Sequence, residues 1–108
     1  MVAKAKAKGH RGSWFADVNG ESLPCVHQHW SRNRRYHDPH VVQGDPQWAE
    51  FIDAIRTLKK VILTTGEFSN DHYSVRRTGY IAVFTIDDFE LSSNDLRFRF
   101  VDRLVDLE

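Results

Sequence analysis

Hydrophobic positions along this chain follow two different spacings, and the changes between them mark out the elements. Trp14, Ala16 and Val18 fall two apart around Phe15 and Asp17, the spacing of a strand. Asn19-Gly20 follows and accepts positive φ at both central turn positions, which predicts a tight hairpin. The second strand runs from Glu21 to about His27. Pro24 within it has no N–H to give to a ladder, which puts that strand at a sheet edge or ends its pairing there. From His29 to Gly44 no period survives, and the stretch reads as a loop, long for so small a domain. A helix is predicted over about Asp45–Lys60. Asp45 caps it, and Pro46 suits a first turn whose N–H groups have no partner. Trp48, Phe51, Ile52, Ile55 and Leu58 form one apolar stripe at helical spacing. Lys59 and Lys60 then meet the negative end of the helix dipole.

Strand patterns fill the rest. Val61 to Thr65 is β-rich and stops at Gly66, and the polar stretch Ser69 to His72 is a turn. Tyr80 to Ile86 is apolar on both faces, as a central strand is. Ser92 to Asp95 is a turn, after which Leu96, Phe98 and Phe100 point inward while Arg97 and Arg99 point out. Val101 to Leu107 continues as strand or as a closing turn of helix. Two strands, a loop, a helix and three or four strands predict an α+β domain over residues 13–108. Its sheet is expected to be mostly antiparallel, with one helix covering a face or plugging an open barrel. Residues 1–12 have no large apolar side chain after Val2 and read as a flexible basic tail.

A chain of 108 residues has room for one core. Seven Phe, three Tyr and three Trp supply large rings to fill it. The single cysteine, Cys25, excludes an internal disulfide. No apolar run follows the basic N-terminus, and the longest apolar segment, Tyr80 to Phe84, is far short of a membrane span. The expectation is a cytoplasmic protein without a signal peptide.

Charge adds a second layer. The net charge is zero, yet up to His40 seven Lys or Arg face only Asp17, Glu21 and Asp38, while the remainder carries eight basic against twelve acidic residues. A basic end of this kind suits a polyanion. The tail residues Lys4, Lys6, Lys8 and Arg11, with Arg32, Arg34 and Arg35 in the loop, are candidates to hold phosphates. Trp30 and Tyr36 are candidates to stack on a base or wall it off. Arg76, Arg77, Arg97 and Arg99 add charge on a sheet face, or are a solvated face paired with Asp87, Asp88 or Glu90.

His27 and His29 would share a face if both lie on one strand, and with His37 and His40 they are candidate metal ligands. Their spacing matches no zinc finger, zinc ribbon or metalloprotease helix. No cofactor is expected. Cys25 and His27 do not make a dyad by proximity in sequence alone. With no nucleophile elbow, phosphate loop or dinucleotide fingerprint, the chain reads as a binding module rather than an enzyme.

The helix ending in Leu58-Lys-Lys60, the strand Val61-Ile-Leu63 and the later run Gly79-Tyr-Ile-Ala-Val-Phe84 resemble the PUA-like superfamily, which includes the EVE and ASCH domains. The likeness covers roughly Ala54 to Phe100. It implies a small β-barrel with helices at its rim that binds RNA or modified bases in DNA, and it assigns no pocket residue. The leading expectation is therefore nucleic-acid binding. The alternative is a protein-interaction module (adaptor, inhibitor or homodimer), which the zero net charge, exposed aromatics and the edge strand implied by Pro24 allow. The third reading is a histidine metal site.

Overall fold

Asn19 and Gly20 both adopt positive φ (53° and 84°) and join β3 (Phe15–Val18) to β4 (Glu21–His27) as the hairpin the sequence predicts, with Val18 opposite Glu21. The computed structural model describes residues 2–7, 14–68 and 75–108, leaving aside the side chains of residues 7, 67–68 and 75–78. The turn expected at Ser69 to His72 lies outside the described residues.

β4 is not an edge strand. It lies between β3 and β7 (Lys60–Phe68), and its parallel ladder with β7 begins at Cys25. Pro24 therefore bounds the two-sided pairing, and the Cys25 N–H beyond it donates to the Trp14 carbonyl at 2.8 Å. The expected loop is also more ordered than its sequence implies. Gln28–Trp30 form one turn of 3-10 helix, and β5 (Ser31–Arg32) and β6 (Arg35–Asp38) make a short hairpin.

α1 (Pro46–Leu58) forms as read. The Asp45 carboxylate accepts from the N–H groups of Gln47 and Trp48, and Lys59 closes the C-terminus in the left-handed conformation. Phe51, Ile52 and Ile55 are buried, whereas Leu58, read as part of the stripe, is exposed. Lys60 belongs to β7, where its ammonium meets Glu21 at 3.2 Å. β8 (Val75–Ser92) and β9 (Asp95–Leu107) complete the chain as a long hairpin. Val101 to Leu107 is thus strand throughout. Register shifts interrupt the β8–β9 ladder between Val83 and Glu90, and Asp88 takes positive φ as bulged strands commonly require.

The result is an α+β domain built on one mixed sheet, in which β2 (Ala5–Ala7) begins the order β2-β3-β4-β7-β8-β9-β6-β5 and β1 (Val2–Ala3) pairs with β9. The β1–β9 and β4–β7 ladders are parallel and the others antiparallel. The sheet does not close into a barrel. Instead of forming an unanchored tail, the first residues are split between two partners. β1 (Val2–Ala3) lies along the end of β9, and β2 (Ala5–Ala7) along β3. The central strands bury both faces, which explains their unbroken apolar runs. Val26, Val61 and Ile86 face α1, Tyr36 and Phe98, while Cys25, Ile62 and Val83 face Ala16, Leu23 and Leu107. No helix among the described residues is long and apolar enough to cross a membrane.

Candidate nucleic-acid interface

The β5–β6 hairpin turns through Asn33 and Arg34, both at positive φ (52° and 66°), the geometry that two-residue hairpins prefer. The Arg34 carbonyl accepts from the Phe100 N–H at 2.8 Å, so the turn is tied down beside β9. β6 then pairs with β9 from Arg35 opposite Arg99 to Asp38 opposite Leu96. Tyr36 and Asp38 face inward, while Arg35 and His37 face solvent.

This register assembles a row of arginines that the linear sequence does not display. Arg32 lies opposite Arg35, Arg35 opposite Arg99, and Arg99 opposite Asp87 of β8. Directly opposite residues project from the same face, and neighbouring strands lie about 4.8 Å apart. Three guanidinium groups therefore start from backbone positions spanning about 10 Å across the sheet. A second row runs alongside, with His37 opposite Arg97 and Arg97 opposite Glu90. Beyond β9 the β8 bulge leaves a concavity of about 470 Å³ lined by Arg35, His37, Asp88, Phe89, Glu90 and Arg97.

The carboxylates tether part of this array. Arg99 forms a two-pronged bond to Asp87, Nε to Oδ1 at 2.8 Å and Nη2 to Oδ2 at 2.5 Å. That hydrogen bond holds the Asp87 carboxyl below its ordinary range and raises the guanidinium. Arg35 reaches Asp88 at 3.7 Å, and His37 Nε2 lies 3.0 Å from Asp95. Arg32, Arg34 and Arg97 are exposed, with no carboxylate partner among the described residues. Arg97 and Arg99 thus divide between the two expectations: Arg99 is paired, Arg97 is not. The backbones of Arg76 and Arg77 pair with β7.

One expectation about aromatic residues needs correction. Tyr36 is only 3% exposed and its ring stacks on Phe98 at 4.6 Å and 12°, so it belongs to the core and offers no face to a base. Burial, and next the adjacent Asp38 carboxylate, push its hydroxyl well above the ordinary value. Trp30 is half-buried against the core, with His29 at 4.8 Å and His40 at 5.1 Å meeting its ring in edge-on geometry. The other described Trp, Tyr and Phe side chains are also buried or half-buried.

The histidines do not converge as metal ligands, although His29 and His40 both flank Trp30. His27 Nδ1 lies 3.1 Å from the Thr64 hydroxyl. His29 sits in the 3-10 turn rather than on the strand with His27. His37 engages Asp95, and His40 flanks Trp30. Among the described residues no group of three His, Cys, Asp or Glu is placed to hold a metal ion. Cys25 is buried in the second apolar cluster, where a thiol behaves as a small hydrophobe.

Nor does the fold bring tail and hairpin together. Lys4 and Lys6 are exposed beside β1 and β2, and Lys8 and Arg11 lie outside the described residues. β1 meets β9 at Asp106, whereas β6 meets it no further along than Arg99, about 23 Å of strand away. The register adds Arg97 and Arg99 to the arginines of this face. Their alternation with buried Phe98 and Phe100 was the available signal. The register to Arg35 was not readable without the fold. No known protein family, no curated protein and no solved structure matches the chain.

Proposed function

We propose that the protein binds nucleic acid through the face carried by β5, β6 and β9. The observation that supports this is the row Arg32–Arg35–Arg99, three cations in direct cross-strand register. Like charges placed opposite one another weaken a sheet, and only the Asp87 end of the row is neutralised in register. A chain of phosphates lying over the row offsets the repulsion and releases its own counterions. Arg34 at the turn and Arg97 in the second row extend the same field. The likeness of Gly79 to Phe84 and the Leu58–Leu63 join to PUA-like domains implies the same class of ligand, although the sheet here is open where that likeness implies a barrel. A cytoplasmic location would suit it as well.

The test is fluorescence anisotropy with mixed-sequence oligonucleotides at two salt concentrations, comparing the natural chain with Arg32→Gln, Arg35→Gln and Arg97→Gln combined. The expected outcome is a loss of affinity of tenfold or more at low salt with no change in melting temperature beyond a few degrees. Equal affinity of the two proteins would remove the proposal.

A second surface favours a protein partner. Val42, 53% exposed, stands at a groove of about 520 Å³ between residues 41–44, the first turns of α1 and Leu91. Exposed valine beside an apolar floor of Trp48 and Ile52 is the kind of feature that protein interfaces cover. Val42→Asp should abolish any such association while leaving oligonucleotide binding intact, and a solution mass measurement on both forms tests the homodimer version.

A further inference from the structure

We infer that the arginine face takes the phosphate backbone of a double helix in preference to a single strand, and that it does so without regard to base sequence. The inference rests on the nucleic-acid reading proposed above and narrows its ligand. Proteins that hold single strands combine a basic groove with aromatic side chains on which successive bases stack, and each stacked base adds substantially to affinity. The face formed by β5, β6 and β9 lacks that second component, and Phe89, which lines the neighbouring concavity, is half-buried against the core with the Arg56 guanidinium over its ring at 5.2 Å. Among the described residues no Trp, Tyr or Phe side chain is exposed. Tyr36, on β6 itself, points into the core against Phe98. Trp30, which precedes β5, packs on the core with His29 and His40 against its ring.

What the face presents instead is guanidinium groups on a fixed grid. Arg32, Arg35 and Arg99 form one row, and Arg97 stands in the next; the Arg99 fork is held by Asp87, so Arg32, Arg35 and Arg97 carry the phosphate contacts. Two residues along a strand separate the rows, about 7 Å. Forked donors of this kind match phosphate oxygens, and contacts to phosphate carry no sequence information. With stacking absent, charge density decides between ligands. A duplex carries one negative charge per about 1.7 Å of axis, twice the density of one strand, and releases more counterion per contact. The bond from the Phe100 N–H to the Arg34 carbonyl ties the turn of the hairpin to β9, so its backbone lies along the sheet rather than projecting as an arm toward base edges. The face is therefore arranged to contact phosphates before base edges.

The experiment uses the full chain and labelled 20-base-pair DNA and RNA duplexes with their separated strands, in two unrelated base sequences, read by anisotropy across a salt series. Duplex is expected to bind at least fivefold tighter than either strand. The two sequences should agree within about twofold, and log K should fall with log salt at a slope near −3, about 0.9 per phosphate contacted. Arg97→Gln should flatten that slope by about one contact. DNA and RNA duplexes binding alike support a phosphate-only face. Tighter binding of the single strand, or a tenfold preference for one base sequence, overturns the inference while leaving nucleic-acid binding standing. Binding to neither form overturns both.

Discussion

Asp38 is a buried carboxylate, 6% exposed, at the end of the strand that carries Arg35. It accepts the His40 backbone N–H at 2.8 Å and a hydrogen bond from the Tyr36 hydroxyl. Burial outweighs these bonds and the nearby His40 and His37, so its carboxyl titrates above the ordinary 3.8. A carboxyl raised by folding favours the native state most when it is protonated in both states. Asp38 therefore lowers stability as pH rises from the ordinary value through the raised one, and has no further effect above it. Asp38→Asn keeps an acceptor for His40 and Tyr36 but has no charge to bury. The variant should gain stability relative to the natural protein at pH 7, and the gain should shrink toward zero at pH 3, as measured by denaturant melts at both pH values. A difference independent of pH would show that ionisation of Asp38 plays no part. The same residues show the limits of reading a sequence. In Arg35-Tyr36-His37-Asp38 the alternation is present, but the inward pair includes a carboxylate, so the pattern does not look like a strand.

Whether an element could be read in advance depended on how much of its stability was local. The helix carries its own signals in Asp45, Pro46 and the stripe through Ile55, and the first hairpin carries Asn19-Gly20. The β5–β6 hairpin has no such local mark. Its turn places Arg34 at φ 66°, a conformation that costs a side-chain-bearing residue about 1 kcal/mol. It is β9, through the Phe100 N–H and the Arg35–Arg99 register, that holds the turn in place. Propensity alone therefore assigns the segment to loop. Arg34→Gly should remove the strain and raise stability by about 1 kcal/mol by thermal or denaturant melting. Affinity for a duplex should fall modestly as one cation is lost. If stability falls instead, the Arg34 side chain contributes packing that its exposure conceals.

At the scale of the whole molecule, pattern was enough to identify an α+β domain with a mostly antiparallel sheet, but not to decide between an open and a closed one. That outcome turns on the first seven residues, whose Ala-Lys alternation lacks the large side chains that would announce strands. They earn their place through backbone pairing, with Val2 beside Asp106, Ala5 opposite Val18 and the Glu108 N–H bonded to the Ala3 carbonyl at 3.1 Å. Removing residues 2–7 should lower the melting temperature by several degrees while the arginine face, at the other end of β9, keeps its affinity. Loss of binding in that truncated chain would instead assign Lys4 and Lys6 to the interface.

The pairing of β1 with β9 also has a consequence in time. Hairpins such as β3–β4 and β7–β8 form between near neighbours and nucleate early, whereas a ladder that joins residue 2 to residue 106 closes the largest loop in the chain. Such contacts slow folding when they belong to the transition state and leave its rate untouched when they form afterwards. A two-residue strand is too short to organise a nucleus, and the expectation is that it docks after the barrier. Weakening it, by Ala3→Gly for instance, should accelerate unfolding in stopped-flow experiments and leave the refolding limb where it is. The N-terminal strand then acts as a latch, setting how long the folded molecule lasts rather than how quickly it forms.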